Sequence, residues 1–432
     1  MKTFSRYNHF VTVNDQTCFY NARTRGLLTL QPQIERLIKE HCDAPDELAG
    51  IHPSLYAALD SRGFLVDPQT DEVAEVIAGW QRDDTAPDYF SITILPTVDC
   101  NLDCWYCYEK HDSGSYMTPE VCERVKRLID RVTGREGFCH LNLDFFGGEP
   151  LLRFKRIALP LMQYARQVTR KRGIRLTVHF TTNAVLLTQE TVDAIKALEL
   201  DGPAAFQITL DGNRRQHDKV RCTRSKQPTY DTIVANIHRA LKAGMTVNNR
   251  FNYTAENVET LADVMDAYAD LTDEERGRLR FDFQQVWQDT GNTSSHDKAT
   301  RLIGNFRKEG LRVSPDARFS YARCYADAEN RVIISYDGSL YKCTARDFTP
   351  ENREGFLAED GTLQWNERYH RRMAIKYGNS TCQACSVFPI CHGHCSQTKL
   401  ETSKDGCLQS LSEKGKDEYL QNHVSSLLLY KG

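Results

Sequence analysis

Between residues 89 and about 310, six short strand-like runs alternate with helical stretches, and no other feature limits the fold of this chain so tightly. The runs read SITIL, HLNLDFF, RLTVHFTTN, AAFQITLD, NNRFNYT and RFDFQQV. The clearest intervening helix is TPEVCERVKRLIDRV. There Thr118 is placed to cap, Pro119 sits in the first turn, and Val121, Val125, Leu128, Ile129 and Val132 form one apolar stripe. Repeated strand–helix units imply a parallel sheet with right-handed crossovers. Six units in about 220 residues predict an α/β fold closed into a curved partial barrel. Chemistry in such folds collects at the carboxyl ends of the strands, which puts Cys100, Gly147, Asn183, Asp211 and Tyr253 on one rim.

The flanks read differently. Residues 1–85 give paired strands at HFVTV and CFYN, helices at LQPQIERLIKEH and PSLYAALDSRG, and a closing strand at FLV. That order predicts a winged-helix-like module, followed by a polar linker, RDDTAPD, at 82–88. From 311 the alternation stops. A hairpin is predicted at RVIISYDGSLYKC, with Asp337-Gly338 as a type I′ turn, and the remainder reads as cysteine-punctuated loop and short helix. The expected domains are therefore 1–85, 89–310 and 311–432.

Composition bounds the surroundings. A formal charge of -3 gives no pull toward nucleic acid or an anionic membrane, and no apolar run reaches the ~20 residues of a membrane span. The start, MKTFSRYNHFVTVNDQ, lacks the apolar stretch of a signal peptide. The expectation is a soluble, cytoplasmic protein with neither nucleic acid nor membrane as partner. Fifteen cysteines in such a chain point to metal ligation rather than disulfides. Three lie within 100–107 and seven between 324 and 407. Cys18, Cys42, Cys122 and Cys139 are expected to be small buried hydrophobes.

Cys100, Cys104 and Cys107 form C-x3-C-x2-C directly after the first barrel strand. An iron–sulfur cubane commonly takes four cysteines, so three leave one iron open to another ligand. The competing reading, a zinc loop completed from afar, suits paired C-x2-C hooks better. The loop resembles the signature of the radical S-adenosylmethionine (SAM) superfamily. That resemblance implies a partial (β/α)6 TIM barrel whose open iron chelates the amino and carboxylate groups of SAM. Reductive cleavage of SAM then gives a 5′-deoxyadenosyl radical that abstracts hydrogen from substrate. By the same resemblance, Tyr106 contacts adenine, and Gly147, Gly148 and Glu149 of GGEP meet the methionyl ammonium. Asn183 ends the third strand in a Thr-Asn-Gly position where this chain has Ala184. Arg221 of HDKVR, after TLDG, takes the SAM carboxylate, and Asn252 and Tyr253 line the pocket. Each motif alone reads as a turn or a solvated helix start; their order along one β–α series carries the resemblance.

The later cysteines are similar to the SPASM pattern, with two zinc knuckles as the competing reading. The resemblance implies two auxiliary [4Fe–4S] clusters, hence three in all beside SAM. The first takes Cys324, Cys343 and Cys395; the second takes Cys382, Cys385, Cys391 and Cys407. The first set is one ligand short. Cys222, a non-cysteine group, or an iron open to substrate could make up the difference, and the last two are favoured.

SPASM enzymes typically modify ribosomally made peptides. The YNARTRG module resembles the recognition element of peptide (RiPP) maturases, which binds a leader peptide as an added strand. Its acidic stretches HCDAPDE and VDPQTDE disfavour a DNA-binding reading. The expected function is oxidative C–C or thioether cross-linking of a precursor peptide bearing a leader sequence, with a reductant such as flavodoxin or ferredoxin. Two other readings stand beside it. One is formylglycine formation of the anaerobic sulfatase-maturase type, where the family places an aspartate after the cysteine and this chain has Thr344. The other is a non-catalytic iron–sulfur electron-transfer protein, against which GGEP and Arg221 argue. The catalytic base, the peptide and the bond formed stay open at this point.

Overall fold

The computed structural model describes residues 1–289, 293–314, 323–393, 395–407 and 411–429. Their contacts divide into two units, one drawn from Met1–Thr85, Arg318–Asp327 and Arg371–Gly432, the other from Ala86–Ala317 and Ala328–His370.

In the first unit, β1 (Thr3–Phe4), β2 (Asn8–Val13), β3 (Gln16–Asn21), β4 (Leu27–Thr29) and β5 (Leu65–Val66) form two small antiparallel sheets, β1–β5 and β2–β3–β4. The β2–β3 turn places Asn14 and Asp15 at positive φ (49° and 61°), the backbone twist that a two-residue hairpin needs. Helices follow at Pro32–Glu40 and Pro53–Ser61. Tyr7, Val11, Val13 and Tyr20 of this module share a core with Trp80, Phe388, Ile390, Tyr419 and Val424. The N-terminal sheet and the cysteine-rich C-terminal segment are thus held by one apolar core.

The segment 82–88 departs from the predicted linker. A helix runs through Glu72–Asp84, capped where Asp71 accepts from the Ala74 amide at 2.9 Å. The Asp84 carboxylate closing it is buried and paired with Arg323 at 2.9 Å and Lys376 at 3.0 Å. A buried carboxylate needs such partners, and they lie far along the chain, beyond the reach of local pattern.

The second unit is built on six parallel strands, β6 (Tyr89–Ile94), β7 (His140–Phe145), β8 (Arg175–Thr182), β9 (Ala205–Leu210), β10 (Thr246–Tyr253) and β11 (Leu279–Gln285), adjacent in that order. This is the α/β fold with a mostly parallel central sheet that the alternation implied. Residues of one parity, such as Ile92, Leu143, Phe180 and Ile208, are fully buried within a single core. The other parity is polar: Asn142 and Asp144 on β7, Thr177 and His179 on β8, Gln207 on β9, Arg250 and Asn252 on β10. The helix Pro119–Thr133 covers the apolar side, and all five residues of its predicted stripe are buried. At roughly 1.5–3 kcal/mol for each fully buried aliphatic side chain, that stripe outweighs the helix's own propensity as the reason it sits there.

The hairpin also differs from expectation. β12 (Arg331–Ile334) pairs in parallel with β6, so the sheet continues through β13 (Ser339–Tyr341) to β14 (Gly355–Leu357) and β15 (Leu363–Trp365), two strands the sequence reading left as loop. Of the predicted turn pair, only Gly338 takes positive φ (85°). The Gly338 amide donates to Ser335 O at 2.9 Å, and the connection is a three-residue loop ending in a left-handed glycine, not a type I′ turn. Cys18 is buried as expected; Cys42 and Cys139 are exposed, standing in the turn after a helix and just before β7. Among the described residues no helix is long and apolar enough to cross a membrane.

Candidate active site

The loop after β6 is held rigidly before its first cysteine. Thr97 Oγ1 donates to Ser115 O at 2.6 Å, the Val98 amide donates to Ser115 Oγ at 3.0 Å, and the Asp99 amide donates to Thr97 Oγ1 at 3.0 Å. Gly147 and Gly148, at the end of β7, pack directly on this backbone. A Cβ at Gly148 would stand 2.2 Å from Asp99 O, and Gly147 takes φ 97° with its own Cβ position 2.5 Å from Thr97 O. The glycine pair is required by the approach of the cysteine loop itself. From the other side the segment 222–226 straps the loop down. The Asp103 amide donates to Cys222 O at 3.1 Å, Arg224 pairs with Asp99 at 2.6 Å and Lys226 with Asp103 at 2.7 Å. Cys222 is buried there, against the first cysteine loop.

Glu149 is fully buried and braces two strand ends. Oε1 accepts from the Leu151 amide at 2.9 Å and from Thr182 Oγ1 at 2.7 Å, while Oε2 accepts from the Asn183 amide at 2.7 Å. Burial still raises its pKa, against those hydrogen bonds. Asn183 Nδ2 donates to Asn101 Oδ1 at 2.8 Å and reaches Cys100 Sγ at 3.8 Å. Ala184 stands at φ 62°, buried. It therefore adopts the left-handed backbone that a glycine would take without strain.

Across the cavity, Tyr106, Asp211 and Arg221 form a polar knot. The Tyr106 hydroxyl donates to Asp211 Oδ2 at 2.5 Å and accepts from Arg221 Nη1 at 2.8 Å and Asn252 Nδ2 at 3.1 Å. Burial raises the pKa of Tyr106 far above its ordinary range and raises that of Asp211. Burial also works against the Arg221 charge, but Tyr106, Cys104 and Asp211 outweigh it and hold the guanidinium protonated. Arg221 Nε and Asp211 Oδ1 remain buried without a partner. Such atoms cost free energy unless a ligand meets them.

Tyr106 and Arg221 open on one cavity of about 180 Å³, shared by Cys100, Cys104 and Cys107, by Gly147 and Gly148, and by Arg250 and Asn252. Burial pushes the Cys100 thiol up to about 12, with the Glu149 charge adding to it, and Cys107 up to about 11. His111 Nε2 stands 3.5 Å from Cys107 Sγ while its Nδ1 faces Val98 O at 3.0 Å.

Two carboxyls escaped the sequence reading. Glu109 Oε2 and Asp347 Oδ1 are both buried atoms without a hydrogen-bond partner. Burial, then the Asp347 charge, pushes the Glu109 carboxyl up to about 8. Glu109 lines the cysteine cavity. The CYEK stretch carried no signal for it, because its meaning depends on Asp347, more than two hundred residues away. Tyr108 joins the same two segments, its hydroxyl donating to Thr344 O at 2.6 Å.

The second cysteine set lies in the other unit. Cys382 and Cys391 fall on the short helices Ser380–Gln383 and Phe388–Cys391, with Cys385 between them. Asn379 caps the first helix by accepting from the Cys382 amide at 3.2 Å, and its Nδ2 donates to Gly406 O at 2.9 Å. Asp405 accepts from Ser380 Oγ at 3.2 Å and pairs with Lys399 at 2.5 Å. Those bonds bring Cys407 to Cys382, and the charges of Cys407 and Cys385 both reach Cys391. Cys324 and Cys395 belong to this unit and Cys343 to the barrel unit. Among the described residues, no three His, Cys, Asp or Glu side chains converge on one metal-ion position. Thiolates around a cubane are spread over its inorganic core instead. The three-thiol loop with its unmatched polar atoms, and the four-thiol group in the first unit, have the soft donor sets that iron–sulfur clusters use.

Residues 94–271 match the family model of the Radical SAM superfamily; this barrel is a Radical SAM domain. The chain is similar to the Fe-coproporphyrin III synthase of Methanosarcina barkeri, at 29% identity over 42% of this chain and 40% of that protein. It spans less than half the length of that curated relative. Its fold is similar to the structure of native anSMEcpe with bound AdoMet and Kp18Cys peptide, with TM-score 0.61, 18% identity, and coverage of 78% of this chain and 99% of that one. It is also similar to Streptococcus suis SuiB bound to precursor peptide SuiA, with TM-score 0.53, 14% identity, and coverage of 94% and 98%.

Proposed function

We propose that this protein is a radical SAM enzyme that oxidatively modifies a ribosomally synthesised precursor peptide, forming a C–C or thioether cross-link. The observation that carries the reading is one cavity shared by Cys100, Cys104, Cys107 and Arg221, whose buried Nε is unmatched. When bound, the cluster and SAM supply one-electron, hydrogen-abstracting chemistry. In this reading Arg221 takes the SAM carboxylate in a bidentate fork, Tyr106 flanks the adenine, and Gly147, Gly148, Glu149 and Asn183 shape the methionyl end. Cys324, Cys343 and Cys395, and separately Cys382, Cys385, Cys391 and Cys407, hold two further [4Fe–4S] clusters. The proposed division is peptide recognition at 1–85, radical chemistry at 89–310 and auxiliary clusters at 311–432, in a cytoplasmic enzyme served by a flavodoxin or ferredoxin.

A peptide substrate is supported by two features. The polar parity of the barrel offers amides and hydroxyls, Asn142, Thr209 and Asn252 among them, that match backbone groups of an extended chain. In the other unit, β4 is an edge strand. The Leu30 amide donates to Thr17 O at 2.9 Å, so alternation directs the N–H of exposed Thr29 away from β3, where an added strand could accept it. Deleting 1–85 would remove part of a shared core, so a point change tests this better. Thr29→Pro removes the outward donor, together with the Thr29 side chain that bonds Cys18 on the neighbouring strand. It should weaken capture of a precursor peptide about tenfold and leave peptide-independent SAM cleavage intact. Unchanged capture would refute strand addition at this edge.

A further inference from the structure

A second cavity, of about 520 Å³, lies on the outer side of the barrel, between helices Pro119–Thr133 and Leu159–Arg172. Its size is that of a small-molecule site. Met117, Ile157 and Leu161 make an apolar wall, and Tyr116, 53% exposed, stands at its edge. Arg153 and Arg156 also line it.

The charges in this wall are unevenly satisfied. Lys126 is paired with Glu123 at 2.6 Å, both of them in the lining. Among the described residues, Arg153 and Arg156 have neither a carboxylate partner nor a hydrogen-bond acceptor. Arg153 holds only the face of Tyr116, 5.3 Å from the ring centroid, and its buried Nε has no partner. The turn that carries Arg156, Phe154–Ala158, is wound as a π-helix, a costly geometry that recurs at functional sites. Two unneutralised guanidinium groups beside an aromatic face and an apolar wall select for a planar oxyanion bearer, because arginine binds carboxylate and phosphate in a fork.

We infer that this cavity binds a small organic oxyanion, a phosphate or carboxylate carried on a flat apolar body, at a site separate from the cysteine cavity. The anion bridges Arg153 and Arg156, and the flat body lies against Tyr116 and Leu161.

The test is calorimetric titration of the full-length, iron-reconstituted protein, saturated with SAM, using phenyl phosphate, benzoate, inorganic phosphate and phenol as separate probes. The site predicts saturable one-to-one binding of phenyl phosphate or benzoate, and whichever binds tighter names the anion. Inorganic phosphate and phenol should bind at least tenfold more weakly, each lacking half of the recognition. Arg153→Gln/Arg156→Gln should weaken the better probe at least tenfold without moving the melting temperature. If that pair fails to fold, Arg156→Gln alone, at an exposed position, should still weaken it severalfold. Absence of saturation with both aryl anions, or affinity unchanged in the arginine variants, overturns the inference. Inorganic phosphate binding as tightly as phenyl phosphate overturns the role of the flat body.

Discussion

The Tyr106 hydroxyl donates to Asp211 Oδ2 at 2.5 Å, joining the cysteine loop to the end of β9. Arg221 Nη1 and Asn252 Nδ2 converge on the same oxygen. One phenol thus satisfies three polar groups from three elements, two of them, Asp211 and Arg221, buried. The unmatched atoms left beside it, Arg221 Nε and Asp211 Oδ1, face a need that only a ligand or solvent can meet.

Tyr106→Phe removes the shared oxygen and strands its partners. Leaving buried polar groups unmatched costs roughly 1–3 kcal/mol each, although Asp211 and Arg221 retain their mutual attraction. The expected result is a loss of about 2 kcal/mol in urea unfolding and about tenfold weaker SAM binding by equilibrium dialysis.

Gly148→Ala inserts a methyl 2.2 Å from Asp99 O, a backbone atom that cannot swing aside. Overpacking of this kind costs about 1–3 kcal/mol, and here the strain falls on the residue before Cys100. Reconstituted Gly148→Ala should lose the iron of the first loop, read as iron per chain falling by about four, while the second cysteine group stays loaded.

Asn379→Ala cuts the bond to Gly406 O and the cap on the Cys382 amide. Losing such a cap alone costs about 1 kcal/mol. Cys407 should drift from Cys382, with about four irons lost from the second group and the first loop unaffected. The two variants together separate the cysteine sets.

Glu109 gives a pH signature in the iron-free protein. Its folded pKa of about 8 lies above the ordinary 4.5, because burial and then Asp347 penalise the charge. The protonated form is the one the fold favours. Its contribution is therefore full below pH 4.5 and is lost as pH rises through about 8. Since the residue is only partly buried, the change is discounted to about 1–2 kcal/mol. Glu109→Gln should flatten this dependence, narrowing the stability difference between pH 5 and pH 8.5 in denaturant titrations by about that amount. An unchanged pH profile would mean that Glu109 ionises normally.

Most of the barrel was readable from its sequence because each strand obeys a local rule, apolar and polar residues alternating along a single run. The Pro119–Thr133 stripe was legible for the same reason. What escaped depends on residues distant in the chain. Helix Glu72–Asp84 ends in a buried Asp84 that makes sense only beside Arg323 and Lys376. The strand Arg331–Ile334 read as an isolated hairpin arm because its partner, Tyr89–Ile94, lies more than two hundred residues earlier. The site shows the same division. Cys100, Cys104, Cys107, Glu149 and Arg221 stand in recognisable short motifs. Glu109 and Asp347 do not, and neither has significance until the fold brings their charges together. GGEP was read as an approach to a ligand cation, whereas its glycines are demanded first by the Asp99 and Thr97 carbonyls.

The central claim is that the loop of Cys100, Cys104 and Cys107 carries radical SAM chemistry. Its most direct test is anaerobic reduction of the reconstituted protein with SAM, followed by chromatographic detection of 5′-deoxyadenosine. The account predicts that the wild-type protein releases it and that Cys104→Ala, in which the three-thiol set is broken, does not. Equal release by the two proteins, or none from the wild type even with candidate peptide present, would contradict it.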